Sequence, residues 1–124
     1  MNIIGVIKAN YRLEVKYILN NLKKEGYNWL SGQSADKFKF INNLQEPFEI
    51  YIVKSEDKKL SYSFTDYDQW LNKGIEPECA TIDTSIGEMP LVDYFEIEAS
   101  NFGFDSYDQM RKEGYNVNLD EYFE

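Results

Sequence analysis

A chain of 124 residues, 43% apolar and 16% aromatic, is long enough for one domain with its own core. It is also too rich in large apolar side chains for disorder. It has no histidine and one cysteine, Cys79, which excludes an internal disulfide, thiolate–imidazole catalysis and Cys/His zinc sites, and fits a reducing cytosol. Its net charge of −9 opposes direct nucleic-acid binding, because that requires phosphates to be neutralised, and points to basic protein surfaces as partners.

The elements read as follows in chain order. Residues 2–8, with Ile3, Ile4, Val6 and Ile7, predict a first strand. The start, MNIIGVIKANYR, lacks the cleavage site of a signal peptide, and no apolar run approaches the ~20 residues that span a bilayer. A cytoplasmic protein with no membrane partner is expected. Asn10 is positioned to cap an amphipathic helix carrying Leu13, Val15, Tyr17, Ile18, Leu19 and Leu22. Lys23 and Lys24 complement its negative end, and Gly26 stops it. The stop sequence Lys24-Glu25-Gly26-Tyr27-Asn28 returns as Lys112-Glu113-Gly114-Tyr115-Asn116, one punctuation device used twice.

Tyr27–Leu30 predicts a strand and Ser31–Ser34 a turn. Ala35–Asn42 is a short helix or a loop with Phe38, Phe40 and Ile41 turned inward. Phe48, Ile50 and Ile52 alternate with Glu49, Tyr51 and Val53, and after the polar turn Ser55-Glu56-Asp57-Lys58 the residues Leu60, Tyr62 and Phe64 alternate with serines, so Phe48–Val53 and Lys59–Phe64 predict a β-hairpin. Ile50, Ile52, Leu60, Tyr62 and Phe64 are expected on one packed face with Ile18 and Leu22. Thr65-Asp66 caps a short helix through Trp70 and Leu71 that stops at Gly74, and Cys79–Ile82 is a further strand. Ile86–Pro90 reads as a loop, with Pro90 in the first turn of a helix that carries Leu91, Tyr94, Phe95 and Ala99 inward. Asp105 or Ser106 caps a last helix, which Gly114 stops before an acidic tail, Leu119–Glu124. The whole is an α+β fold in one domain, 1–124. It has a small, mostly antiparallel sheet around the hairpin at about 48–64, one long N-terminal helix packed on it, and short C-terminal helices within an acidic portion, about 88–124.

Few chemical motifs are present. There is no phosphate loop, no GxSxG and no zinc spacing. Asp66/Asp68 and Asp105/Asp108 lack the ligand ladder of a calcium loop and read as helix caps, so neither metal nor cofactor is expected. A carboxylate pair for glycoside chemistry would need a larger scaffold. Trp29 and Trp70 read as core-edge residues before binding anchors, and Cys79 as a small buried apolar residue.

Charge is the strongest asymmetry. Residues 1–48 sum to +3, residues 49–74 to −1 and residues 75–124 to −11. In the last third, carboxylates interleave with Tyr94, Phe95, Phe102, Phe104, Tyr107, Tyr115, Tyr122 and Phe123, a pattern able to imitate spaced phosphates. Asp93, Glu96, Glu98, Asp105, Asp108, Tyr107, Asp120 and Glu121 are the candidate partner-binding residues. Asp93, Glu96, Glu98, Asp105 and Asp108 are expected on one exposed face. The alternative is an adaptor or oligomerising module that acts through the aromatic hairpin.

The segment LKKEGYNWLSG, followed by an aromatic hairpin, resembles the start of short proteins from phages of low-GC Gram-positive bacteria, and DYFEIEASNFGFDSYDQMRKEGYNV resembles short acidic segments in proteins of phages and conjugative elements. The resemblance implies a non-enzymatic anti-defence inhibitor of the anti-CRISPR or antirestriction class. Such a DNA mimic occupies a basic, nucleic-acid-binding surface of a host defence protein in the host cytosol. It names no catalytic residue.

Overall fold

The structure, a computed structural model, describes residues 2–123 and falls into two compact units, Met1–Ala80 and Thr81–Glu124. Met1–Ala80 is built on a five-stranded sheet. Its strands are β1 (Ile3–Ala9), β2 (Asn28–Trp29), β3 (Ile50–Ser55), β4 (Lys59–Ser63) and β5 (Glu78–Cys79), in the spatial order β2-β4-β3-β1-β5. The β3–β4 hairpin lies at its centre as expected, and β1 pairs antiparallel with β3. The sheet is nonetheless mixed, because β2 runs parallel to β4 and β5 parallel to β1. Both parallel strands are only two residues long, and nothing in such short runs signals direction.

Alternation along β3 places Ile50 and Ile52 on one face and Tyr51 and Val53 on the other, and all four are buried. A strand covered on both faces reads as a continuous apolar run. Ile50, Ile52 and Leu60 join a buried cluster with Val15, Ile18, Leu19 and Leu22 of α1 (Arg12–Lys24), Ala9 of β1 and Trp29 of β2. Val6, Tyr51 and Val53 cluster instead with Trp70 of α2 (Tyr67–Asn72). Three expectations need correction. The first helix has 13 residues and is not long. Its buried stripe shares a cluster drawn from four strands and the 35–44 loop, not from the hairpin alone. Tyr62 and Phe64 are 43% and 50% exposed, outside that core.

The start of α1 is held by carboxylates. Tyr11, not Asn10, is the N-cap residue, and Glu14 Oε1 accepts from the backbone N–H of Asn10 at 2.7 Å and of Tyr11 at 3.2 Å. Glu46 accepts from Arg12 N at 2.8 Å and pairs with the Arg12 guanidinium at 2.6 Å. The Asn10 side chain donates to Phe48 O at 2.6 Å. Burial raises the Glu14 pKa above the ordinary carboxylate value, against the opposing pull of those backbone donors and of Lys8. A raised native pKa makes stability fall as pH rises through it, and the stability is fully present below the unfolded value. Glu14→Gln keeps an acceptor oxygen and removes the titration. The melting temperature of the native chain, relative to this variant, should therefore rise as pH is lowered from about 7 toward about 5. A flat or inverted difference would contradict this.

The glycine stops hold as expected. Gly26 and Gly114 have φ of 92° and 91°. Behind them Tyr27 N reaches Leu22 O at 3.0 Å and Tyr115 N reaches Met110 O at 3.1 Å, the six-to-one bond of a Schellman motif. The helices ending before Gly74 and Gly103 close in the same way, so the device is used four times among the described residues. A Cβ at Gly26 or Gly114 would meet nothing within 4 Å, so the cost of a side chain there is conformational. Gly26→Val or Gly114→Val should destabilise by about 1–2 kcal/mol in chemical denaturation. An unchanged midpoint would be the contrary result.

Thr81–Glu124 contains a two-stranded antiparallel ribbon, β6 (Thr81–Thr84) and β7 (Gly87–Pro90), then α3 (Leu91–Asn101) and α4 (Tyr107–Lys112). The expected loop at 86–90 is thus mostly strand. Pro90 ends β7 and is the N-cap residue of α3, where its missing N–H is no loss. Cys79 and Ile82 fall in separate strands, and Cys79 is exposed on an edge, against the buried position expected. Leu91, Phe95 and Ala99 line the buried side of α3, and the Phe95 and Tyr107 rings meet at 4.7 Å. Ser106, the second of the two expected caps, accepts from Gln109 N at 3.0 Å.

Candidate functional site

The candidate acids divide by their surroundings. Asp93 and Glu96 are exposed on α3, opposite its buried stripe. Glu98 is two residues beyond Glu96, about 160° around the helix, and half-buried on the other flank. The single face expected for these three is therefore two flanks. Glu96 also has a local task, since its Oε1 accepts from Tyr107 N at 3.0 Å and ties α3 to the start of α4. On the other flank Tyr94 has a raised phenol pKa, chiefly from burial and then from the negative charge of Glu98, with Tyr122 and Glu121 nearby.

Asp108 is half-buried and bound within its own helix, to Arg111 at 2.5 Å and Lys112 at 3.0 Å. Those two cations hold its pKa below the ordinary value, the Lys112 contact first. Tyr107 is the clear correction. It is 0% exposed, and its hydroxyl donates to Asn116 Oδ1 at 2.7 Å, so it braces the core and offers no contact area. Its position within the first turn of a capped helix, facing Phe95, is legible only once α3 and α4 are packed. Asp105, Asp120 and Glu121 are exposed. Of the interleaved aromatics, Phe102 and Tyr115 are exposed, at 66% and 62%. Glu124 of the expected tail lies outside the described residues.

Charge segregates with the two units. Met1–Ala80 holds eleven Lys/Arg and eleven Asp/Glu, whereas Thr81–Glu124 holds two and eleven. Its only cations are Arg111 and Lys112, both engaged by Asp108.

Met1–Ala80 carries a second surface, aromatic and centred on the hairpin strand β4. The rings of Trp29, Phe38, Phe40, Tyr62 and Phe64 form a chain of contacts. Trp29 meets Phe38 at 4.8 Å, Phe38 meets Tyr62 at 5.0 Å, Phe40 stacks on Tyr62 at 5.6 Å, and Phe40 meets Phe64 at 5.9 Å. Trp29 is buried, with its indole N–H donating to Ala35 O at 3.0 Å, and Trp70 is buried also, so both are core residues. Phe40 does not turn inward with Ile41 but is 42% exposed, because the short 3₁₀ turn Phe40–Asn43 buries Ile41 instead. Beside this array lies a groove of about 330 Å³, lined by Trp29, Leu30, Ser31, Gln33, Lys37, Phe38, Leu60, Ser61 and Tyr62.

Among the described residues, no group of three or more Cys, Asp or Glu is placed to hold a metal ion, and no helix is long and apolar enough to cross a membrane. Comparison with protein-family models, with curated proteins and with solved structures gives no match.

Proposed function

We propose that the chain acts by binding and not by catalysis, and that Thr81–Glu124 engages a basic surface on a partner protein. The observation that carries this reading is the charge segregation. That unit bears eleven acids, and its two cations are already paired within α4. Fields from like charges on one small body add, speed encounter with a basic partner and disfavour acidic ones. Asp93, Glu96, Glu98, Asp105, Asp120 and Glu121 are the contact residues in this reading, and Asp108 contributes less because its charge is offset locally.

The natural target of such a surface is a protein that itself holds nucleic acid, which fits an anti-defence inhibitor working in the host cytosol on a nucleic-acid-binding nuclease. A decisive test uses the partner recovered from host lysate by crosslinking and then purified. Duplex DNA of the length that the partner binds should displace the chain competitively. A ternary complex of chain, partner and DNA would count against occupation of the nucleic-acid site.

A second reading, a protein–protein adaptor or oligomerising module, is favoured by one observation of its own. Phe40, Tyr62 and Phe64 form a contiguous exposed aromatic face beside a groove, and aromatic residues of this kind are enriched at interfaces.

A further inference from the structure

The groove on Met1–Ala80 adjoins an open strand edge. Along β4 the carbonyls of Lys58 and Leu60 accept from Asn28 N at 3.1 Å and Leu30 N at 3.0 Å, so alternate peptide groups face β2. Tyr62 is next in that series. The covering chain leaves before reaching it, turning at Ser31-Gly32 with Gly32 N bonded to Trp29 O at 2.8 Å and Trp29 N to Gln33 O at 2.9 Å. Among the described residues no backbone group meets Tyr62 on that side. An unpaired peptide group beside a groove is a template for an added strand.

The rim supplies the rest. Lys37-Phe38-Lys39-Phe40 alternates two ammonium groups with two rings. Neither Lys37 nor Lys39 makes an ion pair among the described residues, and both are exposed. We infer that this edge binds an extended acidic peptide. One apolar side chain of the peptide would fill the groove between Trp29, Phe38 and Leu60, its backbone would pair with Tyr62, and a neighbouring carboxylate would meet Lys37. The inference rests on the adaptor reading and names its ligand class. A single-stranded nucleic acid would also stack on the rings, but it has no use for the unpaired peptide group of Tyr62 and needs more cations than two lysines. The net charge of the whole chain does not forbid an acidic ligand, because at ~0.1 M salt screening confines the interaction to groups within about 10 Å.

The test titrates the full chain, amide-labelled for NMR, with three probes: the capped hexapeptide Glu-Val-Glu-Phe-Glu-Val, its counterpart with Lys in place of Glu, and a ten-nucleotide oligothymidylate. The acidic peptide should shift the amides of Leu30, Lys37 and Leu60–Ser63, and the basic peptide should not. Lys37→Glu should weaken the acidic peptide about fivefold, from one surface ion pair lost and one repulsion gained, and Tyr62→Ala should weaken it further. Equal binding of both peptides, preference for the oligonucleotide, shifts located elsewhere or no binding would each overturn the inference. Sedimentation of the same samples separates the two levels. Self-association lost in Phe40→Ala, with no peptide binding, would overturn the peptide and leave the adaptor reading intact.

Discussion

Ile52→Ala should destabilise Met1–Ala80 by about 2–4 kcal/mol, the range for truncating a buried branched side chain. Ile52 is 0% exposed on the strand at the centre of the sheet, opposite Ile7 on one side and Tyr62 on the other. Its side chain belongs to the cluster shared with Ile18 and Leu22 of α1. Strands on both flanks fix the backbone, so the site cannot collapse to fill the void. In urea the midpoint should fall with little change in slope, the mark of altered stability without altered compactness. Tyr62→Ala is the control. It removes a larger side chain from the neighbouring strand, but one that is 43% exposed, and should cost less. A greater loss from Tyr62 than from Ile52 would mean that the aromatic face, and not the helix-facing cluster, holds this unit together.

The second large effect is on binding. Asp93→Lys, Asp105→Lys and Glu121→Lys together move the net charge from −9 to −3, each reversal changing it by two. All three residues are exposed, and none of their carboxylates accepts a hydrogen bond or an ion pair among the described residues. Affinity for the basic partner should fall about a hundredfold, because attraction becomes repulsion at three points of contact. Stability should change little, since exposed charges contribute ~0–1 kcal/mol each to folding. Glu96 is left out of this set because it holds Tyr107 N, and its reversal would confound binding with packing. Normal binding by the triple variant, together with loss in Tyr62→Ala or Phe64→Ala, would transfer the role to the aromatic face.

Local signals carried most of the fold. The turn of the β3–β4 hairpin at Ser55–Lys59, the cap at Asp66, the cap at Ser106 and the glycine stops are each fixed by residues within five positions of one another, so they are legible without tertiary information. Long-range features were not. The strands β2 and β5 are two residues long and owe their existence to the strands beside them, so their parallel direction has no local trace. Gly87–Pro90 has the composition of a loop and becomes a strand by pairing with Thr81–Thr84.

The site was legible in charge but not in placement. Composition locates the acidic excess after residue 75, and helical periodicity turns Asp93 and Glu96 outward. It could not show that Tyr107 is enclosed against Phe95, or that Asp108 spends its charge on Arg111 and Lys112. The exposed aromatic array was legible only in part. Alternation along β4 and on to Phe64 puts Leu60, Tyr62 and Phe64 on one side, but only Leu60 joins the buried cluster that α1 shares. This is the end of a strand that runs on beyond the buried cluster. Its apolar side remains apolar in sequence and becomes surface in the fold.

The most direct measurement of the central claim is the salt dependence of partner binding. The affinity of the full chain for its purified basic partner is measured from about 50 to about 500 mM salt, where the screening length falls from more than 10 Å to a few ångströms. Contact through Thr81–Glu124 predicts a steep, continuous loss of affinity across this range, and a shallower slope for the triple charge reversal. An affinity that stays level with salt in the native chain would contradict it.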